Sequence, residues 1–241
     1  MELLLVLAVI AFATFTHAVT GFGLALVAMP LLVDLIGIRQ AAPLVALIGI
    51  CIQIVMVARY RQRVTWREIR ALIIGSVIGI PLGVLLLAVA NEALITLLLG
   101  VVVTAYALYA LLVPVHRIPE MNGPLVAYGV GLAGGVLTGA YNSGGPPLVI
   151  YGSARRWDPL TFKGNVQAVL VFHSVAAIAS HGVAGNLTPP VFEWFLAAIP
   201  VLLASTVAGF VLDRFINPRR FHQLVLLLLI ALGLWLITRA L

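Results

Sequence analysis

The residues Thr138-Gly139-Ala140-Tyr141-Asn142-Ser143-Gly144-Gly145-Pro146-Pro147-Leu148-Val149 put helix breakers and polar amides inside a long apolar stretch. The chemistry they offer is recognition rather than bond-making. The Asn142 amide and the Ser143 hydroxyl can donate to the oxygens of an anion. Gly144 and Gly145 let backbone approach a ligand closely. A helix starting at Pro147 would turn unpaired amides and about half a positive charge toward an anion. A shorter copy, Thr20-Gly21-Phe22-Gly23 followed by Met29-Pro30-Leu31-Leu32, lies in the first half. There Gly21, Phe22 and Gly23 precede an apolar helix that begins at Leu24. Freed backbone is tolerated at membrane depth only where protein or a wet cavity satisfies it. Two broken segments in matching positions of two halves point to a transporter's binding site.

Four other polar residues, Gln53, Asn165, Gln167 and His173, sit within or at the edge of apolar segments. Gln53 and His173 occupy similar places in the third element of each half. Polar groups inside a membrane face the protein interior or a cavity, so all four are candidate substrate contacts. The other role open to each is a hydrogen bond between helices. His173 can carry a coupling proton because imidazole titrates in the physiological range. His17, just before Thr20-Gly21, is a second candidate for that role. The single cysteine, Cys51, excludes an internal disulfide and a cysteine-based zinc site, and no metal or cofactor is expected. No H-E-x-x-H, G-x-S-x-G or paired intramembrane aspartate motif occurs, so an enzyme is not expected. Nor is there a G-x-x-x-x-G-K-[ST] loop through which a nucleotide could drive transport.

Hydrophobic residues make up 63% of the 241 positions and charged residues 9%, against roughly 25% charged in a soluble domain. Such a chain cannot cover a water-facing surface. With about 20 residues per crossing there is room for roughly seven to ten membrane elements and no soluble domain. The start, Met1-Glu2 then Leu3 to Ala13, lacks a basic segment and a cleavage site, and reads as a retained first span. The net charge of +6 comes from basic residues at span ends, where membrane insertion explains them. No basic face with interleaved aromatics offers itself to nucleic acid.

The elements that must position the two motifs are Glu2–Val19, Leu24–Ile36, Ala41–Ala58, Ile69–Ala90, Ala93–Val113, Pro124–Leu137, Pro147–Ala154, Gly164–Ala184, Pro190–Leu212 and Phe221–Thr238. Three are too short to cross alone at about 1.5 Å of rise per residue. If each break is a single interrupted crossing, the chain has eight spans in two parallel repeats, and its 14 Lys and Arg divide seven to seven. If each break is a hairpin returning to its own side, the repeats are inverted. Then Arg59, Arg61, Arg63, Arg67, Arg70, Arg117, Arg155, Arg156, Lys163, Arg214, Arg219 and Arg220 fall on one side, and only Arg39 and Arg239 on the other. That asymmetry is what insertion selects. The expected architecture is an all-α integral membrane protein of two inverted repeats, each a broken helix or re-entrant hairpin followed by three transmembrane helices. The repeats are residues 1–113 and 124–241, and the polar linker 114–123 joins them.

The phrase from Thr138 to Val149, with Trp157-Asp158-Pro159 after it, resembles the sulfite exporter TauE/SafE family. Gly21-Phe22-Gly23 and Pro30-Leu31-Leu32 are similar to that family's other signature. The resemblance runs the length of the chain. It implies a multi-pass protein of the cytoplasmic (inner) membrane that carries small sulfur-containing or carboxylate anions, such as sulfite, sulfoacetate and other organosulfonates. It also implies alternating access around the two broken helices. An anion channel or a cation-coupled permease for another small solute is the alternative. The partners expected are the anion and the lipid bilayer, without nucleic acid or nucleotide, and with a homodimer as one permitted assembly.

Overall fold

A computed structural model describes residues 2–241. Met1 and the side chain of Arg219, which enters the count of basic residues, lie outside the described residues. The described residues form ten α-helices and three short 3-10 turns, with no strand. The helices are α1 (Glu2–Thr20), α2 (Leu24–Ile36), α3 (Ile38–Tyr60), α4 (Trp66–Val89), α5 (Glu92–Leu112), α6 (Pro124–Tyr141), α7 (Gly145–Ala154), α8 (Pro159–Val183), α9 (Pro189–Leu212) and α10 (Pro218–Ala240). Eight of them are long and apolar enough to cross a membrane, all but α2 and α7. One expectation changes. The sixth element, read as too short to cross, continues to Tyr141 and reaches 18 residues. Its glycines do not break it because they lie on the face pressed against a neighbouring helix.

Local chemistry sets the helix ends. Asn91 caps α5 by accepting the Leu94 amide at 2.7 Å, and Asp158 caps α8 by accepting those of Leu160 and Thr161. These are the cap residues helices prefer. Proline opens α6, α8 and α9, where its missing N–H costs nothing. Gly37, at φ 73°, makes the corner between α2 and α3.

The closest packing joins α4 to α6. Gly75, Gly79 and Gly83 face Gly131, Gly135 and Gly139, and a Cβ on any of the six would overlap backbone of the opposite helix. Small residues at four-residue spacing permit this approach in membranes, where dispersion contacts replace the hydrophobic drive. The register rises together on both helices, from Gly75 beside Tyr128 to Gly83 beside Val136, so α4 and α6 run the same way. The pair α1 and α9 does likewise, with Thr14 on Ser205 at 2.5 Å and Ala18 against Gly209. Helices α5 and α10 close on each other through Gly100 and Gly233, and α3 lies along α8.

The core follows these pairings. One apolar cluster gathers α4, α6, α7 and α8, with Ile69, Leu72, Ala127, Leu148, Tyr151 and Val169 among its members. A larger one holds α1, α2, α3, α5, α9 and α10 together. At the ends, Arg155 bonds Asn122, Arg156 bonds the carbonyls of His116 and Ile118, and the Trp157 indole bonds Glu68. The end of α7 therefore sits beside the start of α6. Asp34 pairs with Arg239, and Gly37 lies against Glu92. The end of α2 thus sits beside the start of α5 and the end of α10.

Candidate functional site

Both breaks open onto one cleft. It is lined by His17, Phe22, Gly23 and the first turn of α2 from one side, and by Asn142, Ser143 and Gly145 from the other. Gln53 and Gly49 of α3 and Leu170 of α8 complete the wall. The cavity volume is about 30 Å³, room for about two water-sized groups. Among the described residues, no charged side chain lines it.

The first break is built by backbone geometry that only glycine adopts easily. Gly21 and Gly23 have φ of 83° and 101°, in the left-handed region where a Cβ is strained. This turn frees the first amides of α2. The helix's own ladder begins with Val27 N–H on Gly23 O at 3.1 Å, so those of Leu24, Ala25 and Leu26 precede it. Leu24 N–H donates to His17 Nδ1 at 3.4 Å. Ala25 and Leu26 line the cleft, and their amides have no acceptor within the helix ladder.

The second break differs. Asn142 ends α6 in the left-handed conformation, with φ 52°, and Gly144 is the residue before α7. Here α7 starts at Gly145, two residues before the expected Pro147, so Pro146 and Pro147 fall within its first turn. Proline has no N–H, and α7 therefore offers fewer backbone donors than α2. The Asn142 side-chain amide supplies the difference. Ser143 Oγ donates to Tyr141 O at 3.1 Å and keeps its lone pairs. No protein group hydrogen-bonds the Asn142 side chain among the described residues.

The two glycines at this turn have separate jobs. A Cβ on Gly144 would lie 2.6 Å from Gly134 O and 2.7 Å from His173 Nδ1, and would overlap Thr138 Oγ1. Gly144 is thus where α6, α7 and α8 touch. A Cβ on Gly145 would meet nothing within 4 Å. That residue faces the free space itself.

The remaining expected site residues divide. Gln53 is 6% exposed and lines the cleft. Its Oε1 accepts from Ser174 Oγ at 2.7 Å, which leaves its amide protons for a ligand. Gln167 sits behind the first break, where its Nε2 donates to Gly21 O and its Oε1 lies 3.3 Å from His17 Nε2. His173 is not in the lining. Its Nδ1 meets Thr138 Oγ1 at 2.7 Å and its Nε2 meets Ser76 Oγ at 2.6 Å, so both ring nitrogens tie α8 to α6 and α4. Asn165 is remote from the cleft. It accepts from Thr65 N at 2.7 Å and donates to Thr65 Oγ1 at 2.7 Å, fastening α8 to the start of α4. The amide donors expected at the start of the helix after Gly21-Phe22-Gly23 are those of Ala25 and Leu26. Side-chain identity carries no sign of them beyond the glycines that expose them.

Comparison with known proteins identifies a family for the chain. The family described as sulfite exporter TauE/SafE matches residues 6–236. The chain is similar to the probable sulfite/organosulfonate exporter TauE of Cupriavidus necator, 26% identical over 91% of this chain and 88% of that protein. It is also similar to the probable inner membrane transporter protein TsaS of Comamonas testosteroni, 28% identical over 72% of each chain. No solved structure matches it. A multi-pass membrane protein whose two Gly-rich breaks meet at one cleft, this chain belongs to the sulfite exporter TauE/SafE family of transporters.

Proposed function

We propose that this protein is a secondary transporter that moves small sulfur-containing or carboxylate anions, of the sulfite, sulfoacetate and organosulfonate class, across the inner membrane. The observation that carries the reading is the cleft where both breaks meet, furnished with neutral donors and no charged side chain. The Ala25 and Leu26 amides, Gln53 Nε2 and Asn142 Nδ2 can share an anion's oxygens. The N-terminus of α2 adds its positive end. Neutral donors hold an anion without a fixed countercharge, so the ligand can also leave. The small volume favours a carrier that closes around its ligand over an open channel. The lining has no carboxylate for a coupling cation. One chain supplies both breaks, so the reading needs no second copy.

Inverted repeats of residues 1–113 and 124–241, joined by 114–123, fit this reading. What supports them is the pairing of helices. Exchanging the halves turns the α4–α6 pair into α9–α1, and α4–α8 into α9–α3, while α3–α8 and α5–α10 map onto themselves. The side-by-side ends of α6 and α7, and of α2 with α5 and α10, fit hairpins returning to opposite faces.

The same pairing changes which parts would move. The glycine seam of α4 and α6 crosses the two halves, and so does the α1–α9 contact. Rocking the halves as units would tear both. In the alternating access proposed here, one body is α4 with α6, α7 and α8, and the other is α9 with α1, α2 and α3. The seam between α3 and α8, bridged by Gln53 and Ser174, lies between them beside the cleft.

The test is counterflow in proteoliposomes holding the purified protein, with sulfite, sulfoacetate, acetate, phosphate and chloride compared. Uptake of at least one sulfur oxoanion or carboxylate above protein-free vesicles is expected. Movement of none of them, by folded protein, would overturn the assignment.

A further inference from the structure

We infer that His17 is the protein's proton-binding group and that its proton and the anion bind together, because the imidazole nitrogen that would take the proton is the acceptor now holding the first amide of α2. The inference rests on the cleft proposed above as the anion site.

His17 is 2% exposed and lines the cleft at its floor. Gln167 sets both its Oε1, at 3.3 Å, and its Nε2, at 3.0 Å, against His17 Nε2, and the Leu24 N–H, whose direction the backbone fixes, decides between the two tautomers. A neutral imidazole carries one N–H. Nδ1 accepts the Leu24 N–H at 3.4 Å, so the proton is on Nε2, which donates to Gln167 Oε1 at 3.3 Å. Gln167 in turn gives its amide proton to Gly21 O. The chain runs from donor to acceptor through Leu24, His17, Gln167 and Gly21. It also ties the first break to α8, a helix of the second half.

A proton arriving at His17 can go only to Nδ1. The ring then has two N–H groups and no lone pair, so the Leu24 amide loses its acceptor. Two donors, Leu24 N–H and His17 Nδ1–H, are left facing each other beside the amides of Ala25 and Leu26. An anion in the cleft satisfies both and cancels the imidazolium charge. Without the anion, the protonated ring leaves a buried amide unpaired, which is costly. Without the proton, the anion finds one donor fewer and no countercharge. Proton and anion thus favour each other's binding, and the favour is reciprocal.

The surroundings leave this role to His17. From α8 the nearest charge is Lys163, whose stem packs on Gly21 and whose ammonium sits 5.8 Å from the Tyr60 ring of α3. From α10, His222 stacks on Phe22, and from α5 so does Tyr106. The α9 contacts are Ser205 on Thr14 and Gly209 on Ala18, neither of which titrates. No carboxylate lines the cleft. His173, the other histidine near the breaks, spends both nitrogens on Thr138 and Ser76 outside it.

The experiment is calorimetric titration of the purified protein with methanesulfonate, a permanently charged anion. It is run at one pH in two buffers that differ in heat of protonation. Wild type is expected to take up close to one proton per anion bound, with affinity falling as pH rises. His17→Asn keeps an acceptor near the Nδ1 position and His17→Gln one of longer reach, and neither titrates between pH 5 and 8. Both are expected to bind with no proton uptake and a flat pH response, while His173→Gln takes up the proton as wild type does. Binding to wild type without proton uptake would overturn the coupling and leave the anion site standing. Undiminished uptake in both His17 variants would overturn the assignment of the proton to His17. No binding to folded wild type by methanesulfonate, sulfite or sulfoacetate would overturn the anion site and this inference with it.

Discussion

A single methyl group at Gly145 separates a ligand site from a packing site. Gly145 is the first residue of α7, its φ is negative, and an added Cβ meets no atom within 4 Å. Alanine is the better helix former by up to about 1 kcal/mol, so Gly145→Ala is expected to fold with unchanged or slightly raised stability. The methyl, however, enters a cavity of about 30 Å³. A methyl is comparable in size to a water molecule, and the cavity has room for about two such groups, so roughly half of the free space is consumed. An anion pushed off one donor loses about 1.5–3 kcal/mol, roughly ten- to a hundredfold in affinity. Gly144→Ala is the counterpart. Its Cβ would lie 2.6 Å from Gly134 O, and overpacking of this kind costs typically about 1–3 kcal/mol, so it should unfold earlier. The assay is a thermal melt of each purified variant with and without sulfite or a sulfonate. A ligand stabilises in proportion to occupancy, so Gly145→Ala should keep its apo Tm and lose the ligand-induced shift. A parental shift in Gly145→Ala would show that the space beside Gly145 is not where the anion sits.

Other expected outcomes follow from the packing. Gly79→Ala drives a Cβ into Leu132 O across the α4–α6 seam and should lower Tm sharply, whereas Gly129→Ala, with nothing within 4 Å, should not. Asn165→Ala strips Thr65 of its partner and should cost about 1–3 kcal/mol of stability while anion affinity measured by calorimetry stays put. On a Cys51→Ser background, Arg61→Cys and Arg156→Cys should both react with an impermeant maleimide from the cytoplasmic side. Labelling from opposite sides would contradict the inverted arrangement. Spin labels at Arg67 and Leu125, on α4 and α6, should keep their separation when anion is added, while labels at Arg67 and Arg214 change theirs. The reverse pattern would contradict the two crossed bodies.

Much of the fold is legible in the sequence because membrane burial imposes a coarse code. Apolar runs broken by Gly, Pro and charge mark all ten helices, and the break before Leu24 stands where it was expected, while the second, expected between Leu137 and Pro147, narrows to 142–144. The length of α6 is not legible. Gly131, Gly135 and Gly139 read as interruptions in one dimension, and only the matching glycines of α4 turn them into a packing face. Site residues are legible in kind but not in role. Asn165, Gln167 and His173 look alike in sequence as polar residues of one apolar helix. Tertiary partners separate them, Asn165 to Thr65, His173 to Ser76 and Thr138, and Gln167 to the cleft's floor. The backbone amides of Ala25 and Leu26 are legible only through the glycines that precede them. The weaker-looking first motif turns out to expose more backbone donors than the second, because Pro146 and Pro147 remove two from α7.

The measurement closest to the central claim is a crystal structure with selenite in place of sulfite, located by the anomalous signal of selenium. The account predicts a single peak in the cleft, with oxygens within hydrogen-bond reach of the Ala25 and Leu26 amides and of Gln53 or Asn142. A peak instead in the wide groove at the basic face, lined by Arg67, Arg70 and Arg155, with the cleft empty, would contradict it.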